Sequence, residues 1–201
     1  MSDVSGWQTG GSPLVDWEIA DAQFANYLHV EPWRADHLKT ASYELTLSDR
    51  FKVFNVTGIN YIDPTLDQEG LMSEIVNGPD KFFMLHPGQF VLGSSVEVIS
   101  LGPTMAGMLN GKSSLGRRGL QVHATAGWFD PGFVGTATLE LSCVAPVPIR
   151  LWPGMRVAQM VFFRTGVPKV PYDQAPESHY QGQSGPTEGA RVPLTGVPLG
   201  D

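Results

Sequence analysis

The 201-residue chain has a single cysteine, Cys143, and fewer cationic than anionic side chains. One thiol excludes an intrachain disulfide framework and any zinc site that needs two thiolates. With 13 Lys and Arg against 20 Asp and Glu, the net charge is −7, so no overall basic field exists to hold nucleic acid. Apolar stretches such as 157–163 are too short to span a bilayer, and the first residues lack the basic-then-apolar order of a signal peptide. These absences predict a cytoplasmic protein that binds neither nucleic acid nor membranes.

Glycine (23 residues) and proline (16 residues) are abundant, which is typical of a chain with many turns and few helices. One amphipathic helix is predicted at about 16–28, with Asp16 as its N-cap and Pro32 beyond its end. Its expected apolar face consists of Trp17, Ala20, Phe24, Tyr27 and Leu28.

From about residue 41 onward, apolar side chains recur at every second position, which is the period of a half-buried strand. Tyr43, Leu45 and Leu47 begin this pattern. Further strands are predicted at 51–56, 82–85, 89–100, 104–110, 119–125, 135–143, 147–151 and 156–164. Short strands separated by Gly and Pro turns predict a mainly β sandwich or distorted barrel over residues 1–173. Residues 174–201 are rich in Gly, Pro, Ser and Gln, and we expect a flexible tail there.

Residues 111–119 read GKSSLGRRG and concentrate three cations, two hydroxyls and three glycines in an otherwise acidic chain. Backbone N–H groups, hydroxyls and cations of this kind bind phosphate oxygens, although a solvated turn explains the same composition. A P-loop is excluded, because Ala106 stands where that motif needs its first glycine, and the following residues favour a turn over a helix.

Two further segments carry candidate chemistry. Residues 123–133 read HATAGWFDPGF, where His123 taken alone indicates a structural histidine and Asp130 a turn. Residues 136–142 read TATLELS, and their alternation places Leu139 and Leu141 on one face and Glu140 on the other. A mid-strand carboxylate among apolar neighbours suits proton transfer, but an ordinary solvent-facing glutamate fits equally well.

Taken together and in this order, these blocks resemble the dCTP deaminase branch of the trimeric dUTPase superfamily. The resemblance runs from Leu14 to Thr187 and includes LWPGMRVAQ at 151–159. Shorter matches are FKVFN at 51–55, YIDP at 61–64, LHPG at 85–88 and YQGQ at 180–183. It implies a distorted jelly roll, or dUTPase-like β-barrel, that assembles as a homotrimer with nucleotide sites between subunits.

The resemblance also assigns roles to residues. Glu140 matches the general acid/base, Ser113 and Arg117 match residues around the reacting base, and Asp130 matches a nucleoside-contacting aspartate that positions water at the α-phosphorus. The pair Gly127 and Trp128 is similar to the subgroup that converts dCTP directly to dUMP. The substrate-binding positions that the resemblance implies are Lys112, Ser113, Ser114, Leu115, Gly116, Arg117, Ala126, Asp130, Thr138, Leu139, Gln159, Tyr172, His179 and Gln183.

The implied activity is deamination of dCTP at C4 followed by hydrolysis to dUMP and pyrophosphate, with Mg²⁺ bound through the triphosphate and dTTP as an inhibitor. One cysteine cannot supply the thiolates of a zinc deaminase, so water activation falls to Glu140 without zinc. Two positions depart from the family pattern: His179 replaces a lysine, and Thr46 replaces an arginine. The alternatives are a deaminase that releases dUTP, a dUTPase, or a nucleotide-binding regulator without catalysis.

Overall fold

The structure is a computed structural model that describes residues 12–78 and 80–192. It contains two α-helices, α1 (Asp16–Phe24) and α2 (Ser113–Gly116), and short 3₁₀ turns at Ala35–His37 and Tyr172–Gln174. The strands are β1 (Leu28–Glu31), β2 (Leu38–Lys39), β3 (Ser42–Thr46), β4 (Arg50–Phe54), β5 (Met72–Val76), β6 (Phe83–Leu85), β7 (Phe90–Leu101), β8 (Met105–Gly111), β9 (Leu120–Gln121), β10 (Trp128–Phe129), β11 (Val134–Cys143), β12 (Ile149–Leu151) and β13 (Arg156–Arg164).

The strands form three antiparallel sheets. The first has the order β5-β4-β7-β11-β9, with β1 also paired to β7. The second has the order β10-β8-β13-β3-β2, and β12 and β6 form a separate pair. The predicted mainly β, jelly-roll-like fold with a short N-terminal helix is confirmed, but the sheets do not close into a barrel.

One hydrophobic core lies between the two larger sheets and includes side chains from both. Leu45 on β3 and Leu139 and Leu141 on β11 are fully buried in it. The predicted alternation along β11 is confirmed, because the neighbouring Thr138 and Glu140 point to the opposite, partly exposed face. This face of β11 carries the candidate chemistry.

The prediction for the N-terminal helix was wrong in its end and in its buried face. Helix α1 ends at Phe24, and the chain re-enters the sheet as β1 from Leu28. Val15 precedes the helix as N-cap and donates its N–H to Glu18, so Asp16 is the first helical residue and not the cap. The residues that α1 buries are Ile19, Ala22 and Gln23, whereas Trp17, Phe24 and Tyr27 are exposed.

Two polar anchors explain this orientation of α1. The Glu18 carboxylate accepts a hydrogen bond of 2.6 Å from the Arg164 guanidinium at the end of β13. The Gln23 side chain accepts the backbone N–H of Val30 at 2.8 Å. Because both partners are on strands beneath the helix, the side of α1 that carries Glu18 and Gln23 faces the sheet, and apolar periodicity alone does not reveal this.

Most predicted strands are present within a few residues, but the strand predicted at 119–125 is reduced to β9. Residues 123–127 leave the sheet and pack beside β11 instead. Strands β1, β2, β5 and β10 had no predicted counterpart. The segment expected to form only a turn contains the single helical turn α2 before Arg117.

The described part of the tail, 174–192, runs along β11. The backbone N–H of Thr136 donates to the carbonyl of Gln183 at 3.0 Å, and the N–H of Thr187 donates to the Thr138 hydroxyl at 3.2 Å. These bonds hold the tail against the same face of β11 that carries Glu140. Within the described residues, no helix has the length and apolar character needed to cross a membrane.

Candidate active site

A cavity of about 320 Å³ lies over the polar face of β11, between β10 and the tail. Of the predicted site residues, Ala126, Trp128, Asp130, Thr138, Glu140, Tyr172 and Gln183 line it. The cavity therefore brings together the two carboxylates, Glu140 and Asp130, that the sequence singled out.

The Glu140 carboxylate is fixed by donors from the segment that leaves the sheet after β9. One oxygen accepts the backbone N–H groups of Ala124 at 2.8 Å and Thr125 at 3.2 Å. The Thr125 hydroxyl donates to the other oxygen at 3.3 Å. The Glu140 side chain keeps 25% of its surface exposed. A carboxylate held in this way has one defined direction toward the cavity, as a positioned acid or base requires.

His123 lies beside this carboxylate, with its Nδ1 3.9 Å from an oxygen of Glu140. Both ring nitrogens are buried and have no hydrogen-bond partner among the described residues. The ring also lies near Gly127, where a Cβ atom would approach it to 3.4 Å. His123 is thus part of the cavity wall and not a remote structural histidine.

Asp130 follows the short strand β10 and begins the turn that leads to Phe133. The indole N–H of Trp128 donates a hydrogen bond of 3.0 Å to the Asp130 carboxylate. Gly127 precedes this pair, and a Cβ atom there would lie 2.7 Å from the carbonyl oxygen of Leu109 on β8. Only glycine permits this close approach of the chain to β8 immediately before β10, the strand that Asp130 follows.

The tail forms the opposite wall of the cavity. The Gln183 side-chain amide donates to the Thr136 carbonyl at 2.6 Å. The hydroxyl of Tyr172 accepts the backbone N–H of Tyr180 at 3.2 Å, which ties the start of the tail to its middle. His179 is adjacent but is not among the residues that line the cavity. The side chain of Leu139 is buried in the core, so only its backbone is available to a ligand.

The predicted phosphate-binding residues lie elsewhere on the chain. Lys112 to Arg117 form the segment around α2, and none of them lines the cavity that contains Glu140. Ser113, Ser114, Gly116 and Arg117 are exposed, and Leu115 packs against the core. Gln159 on β13 donates to the Gly111 carbonyl at 3.5 Å and is likewise outside the cavity. One protomer therefore separates the candidate residues into two groups.

Lys112 has a buried anionic partner that the sequence analysis did not assign to the site. Its Nζ lies 2.5 Å from a carboxylate oxygen of Glu44 on β3. Glu44 also contacts Arg156 at 3.2 Å and Lys39 at 3.5 Å. Burial by itself raises the pKa of Glu44, but the hydrogen bonds from Lys112 and Arg156 outweigh it and hold the pKa below its ordinary value. Glu44 is therefore ionised at neutral pH.

Ala124, Thr125 and Glu44 are the site-forming residues that sequence reasoning missed. Thr125 lies inside the motif 123–133, next to residues that were considered, so its place in that block was the available signal. Glu44 gave no local signal, because its contact with Lys112 crosses two strand pairings, β3 with β13 and β13 with β8.

The described residues contain no group of three or more His, Cys, Asp or Glu side chains arranged to hold a metal ion. Mg²⁺ often binds through substrate phosphates with only one or two protein carboxylates, so a metal carried by a triphosphate needs no such group. The carboxylate near the group around Lys112 is Glu44, and those in the cavity group are Asp130 and Glu140. Cys143 is buried, with its Sγ directed at the carbonyls of Ala145 and Val147, away from the cavity.

The fold and the cavity define a jelly-roll-like β protein with two carboxylates facing one cleft. A family model described as dCTP deaminase-like matches residues 14–165, and the chain belongs to that family. It is similar to a protein of Bifidobacterium longum, with 45% identity over 176 residues that cover 87% of this chain and 91% of the relative. A protein of Salinispora arenicola is 48% identical over the same length, covering 92% of that relative. Both relatives are named dCTP deaminase, dUMP-forming.

A solved structure of 2′-deoxycytidine 5′-triphosphate deaminase from Agrobacterium tumefaciens shares the fold, with a TM-score of 0.61 and 22% identity. The matched region covers 79% of this chain and 49%, about half, of the Agrobacterium tumefaciens chain. It agrees with the jelly-roll-like arrangement of the sheets.

Proposed function

We propose that this protein deaminates dCTP at C4 of cytosine and hydrolyses the triphosphate, giving dUMP and pyrophosphate. The observation that carries the proposal is the pair of carboxylates in one cavity: Glu140, held by Ala124 and Thr125, and Asp130, held by Trp128. Two half-reactions need two positioned groups, and the names of the 45–48% identical relatives point to this pair of reactions.

In the first half-reaction Glu140 takes a proton from water as the water oxygen bonds to C4, and it passes that proton to N3. The proton of the new C4 hydroxyl then moves through Glu140 to the amino group. The C4–N4 bond breaks, ammonia leaves, and C4 becomes the carbonyl of uracil. Ser113 and Arg117 of a neighbouring protomer stabilise the developing charge as hydrogen-bond donors. The thiolates of a zinc deaminase have no counterpart, since Cys143 is the only cysteine and faces away from the cavity.

In the second half-reaction Asp130 orients a water molecule for in-line attack on the α-phosphorus. The oxygen that bridges the α- and β-phosphates leaves with pyrophosphate, and dUMP remains. The residues that bind the triphosphate come from the neighbouring protomer and are Lys112, Ser113, Ser114 and Gln159. Mg²⁺ carried by the triphosphate would neutralise part of the phosphate charge.

The separation of the candidate residues within one chain supports a homotrimer in which neighbouring protomers complete each site. Glu140 and Asp130 would then come from one protomer, and Ser113 and Arg117 from the next. A complementation experiment tests this arrangement: trimers that mix Glu140→Gln and Arg117→Ala chains should regain activity that neither variant has alone. Absence of recovery in co-purified mixed trimers would contradict a shared site.

We propose that residues 174–192 act as a lid that orders over bound nucleotide. Its contacts with Thr136 and Thr138 support this role, because they place Gln183 and Thr187 in the cavity wall. Closure of such a segment excludes water and completes the site.

A product assay decides between the candidate activities. Purified protein is incubated with dCTP and Mg²⁺, and the nucleotides are separated by chromatography. Formation of dUMP supports the proposal, and accumulation of dUTP indicates a deaminase alone. Turnover of dUTP but not dCTP indicates a dUTPase, and binding without turnover indicates a regulator. Addition of dTTP to the same assay tests inhibition.

A further inference from the structure

Glu44 is a buried carboxylate that none of the proposed chemical steps uses. It is 7% exposed and lies on β3, in register with Gln159 of β13, which is in turn opposite Asn110 of β8. Lys112 follows the end of β8 and reaches back across β13 to Glu44. Glu44 therefore contacts one residue assigned to the triphosphate, Lys112, and is paired in register with another, Gln159.

Three cations surround this one carboxylate. Lys112, Arg156 and Lys39 contact Glu44, and Arg156 also forms an ion pair with Asp36. The charges of Lys39 and Arg156 are balanced by those of Glu44 and Asp36. The charge of Lys112 is the one that remains, so the group keeps a net positive charge toward an anionic ligand.

Glu44 has two opposing effects on Lys112. A carboxylate beside an ammonium weakens its attraction for phosphate, but it also holds a flexible four-carbon side chain in one place. The first effect is offset here by Lys39 and Arg156, which already balance the carboxylate. The second effect remains, because an ammonium has three donors and keeps free ones for phosphate oxygens after bonding to Glu44.

We propose that Glu44 is a positioning residue that holds the Lys112 ammonium ready for the phosphate chain of the nucleotide. This inference rests on the proposed function and names a residue that acts on substrate binding through Lys112. It concerns the affinity for the nucleotide and not the reacting atoms, so its signature is a change in KM with kcat retained.

The test uses Glu44→Gln, Lys112→Met and the double variant, with dCTP as substrate. Glu44→Gln keeps the volume of the side chain and removes its charge. We expect Glu44→Gln to raise the KM for dCTP about fivefold and to change kcat less than twofold. The KM rises because Lys112 regains rotamer entropy, which it must lose again when it binds the nucleotide. If Glu44 acts through Lys112, the double variant has the same KM as Lys112→Met.

A matched control is Glu74→Gln, which removes another ion-paired carboxylate, 2.6 Å from Arg50 on a different sheet. Its KM should equal that of the wild type. Glu44→Asp keeps the negative charge but moves it away from Lys112. It serves as a second variant if thermal melting and size-exclusion chromatography show that Glu44→Gln is not folded. We expect Glu44→Asp to raise the KM as well.

An unchanged or lower KM in the folded Glu44 variants would overturn the inference, as would additive effects in the double variant. Failure of the wild type to convert dCTP would instead contradict the proposed function. In that case calorimetric binding of dCTP to the same variants tests the role of Glu44 separately, with a fivefold weaker Kd expected for Glu44→Gln and an unchanged Kd overturning it.

Discussion

The indole N–H of Trp128 donates a 3.0 Å hydrogen bond to the carboxylate of Asp130, two residues further along the chain. The indole ring packs against the ring of Phe163 on β13, with the centroids 5.6 Å apart, and this contact holds the N–H donor in place against the sheet. The bond engages one Asp130 oxygen, and under the proposed function it connects Trp128 to the second half-reaction.

Replacement of Trp128 by Phe keeps an aromatic ring against Phe163 and removes only the donor. Because hydrogen bonds to charged groups contribute about 1.5–3 kcal/mol, we expect hydrolysis of the α-phosphate to slow by about tenfold or more. Deamination continues, so dUTP accumulates before dUMP appears. Asp130→Asn serves as the stronger comparison, and a dUMP yield that stays at the wild-type rate in Trp128→Phe would show that the bond is dispensable.

Replacement of Glu140 by Gln keeps the hydrogen bonds to Ala124 and Thr125, because the amide oxygen can accept both N–H groups. The substitution removes the carboxylate that moves protons in the proposed mechanism. General acid–base catalysis contributes about 10²–10⁴-fold to the rate, so we expect the rate of ammonia release to fall by at least about a hundredfold. Calorimetry with dCTP should show nearly unchanged affinity. A variant that still releases ammonia at more than a tenth of the wild-type rate would contradict the assignment of Glu140.

Truncation before Ser178 removes the wall of the cavity that Gln183 and Tyr180 form. The hydrogen bonds to Thr136 pass to water, so we expect the melting temperature to change little. The KM for dCTP should rise about tenfold, because the proposed lid can no longer exclude water or contact the nucleotide. Gln183→Ala, with the tail retained, is the milder comparison. Kinetics that match the full chain would reject the lid.

The ion pair between Glu18 and Arg164 predicts a stability that depends on pH. Burial by itself raises the pKa of Glu18, but the N–H of Val15 and the guanidinium of Arg164 outweigh it and hold the pKa below its ordinary value. A carboxyl with a lowered folded-state pKa stabilises the protein fully above its unfolded value of about 4.3, and that stabilisation disappears as the pH falls through the folded value.

We therefore expect Glu18→Gln to destabilise the protein by about 1.5–3 kcal/mol at pH 7, measured by thermal melting. The difference from the wild type should stay constant down to about pH 5 and shrink below about pH 4. Glu69→Gln, at an exposed position, is the matched control and should change the melting temperature little at any pH. A difference that grew on acidification would contradict the assigned direction.

Helix α1 shows where local patterns mislead. Aromatic residues at helical spacing predicted a face with Trp17 and Phe24, yet 61% of Trp17 and 75% of Phe24 are exposed. Two polar side chains orient the helix instead. Glu18 bonds to Arg164, more than a hundred residues along the chain, and Gln23 bonds to Val30, seven residues along. A hydrophobic pattern has no information about such partners, because it compares residues only within one element.

The sequence by itself determined the alternation of β11, which places Leu139 in the core and Glu140 on the opposite face, because side chains along a strand alternate whatever the strand pairs with. It also contained the motif blocks and the single cysteine, which are properties of residue identity. Only the tertiary structure decided that Ala124 and Thr125 hold Glu140, and that Lys112 meets Glu44 across an intervening strand. Those contacts depend on strand order and on the path of the chain between strands, and long-range packing alone selects both.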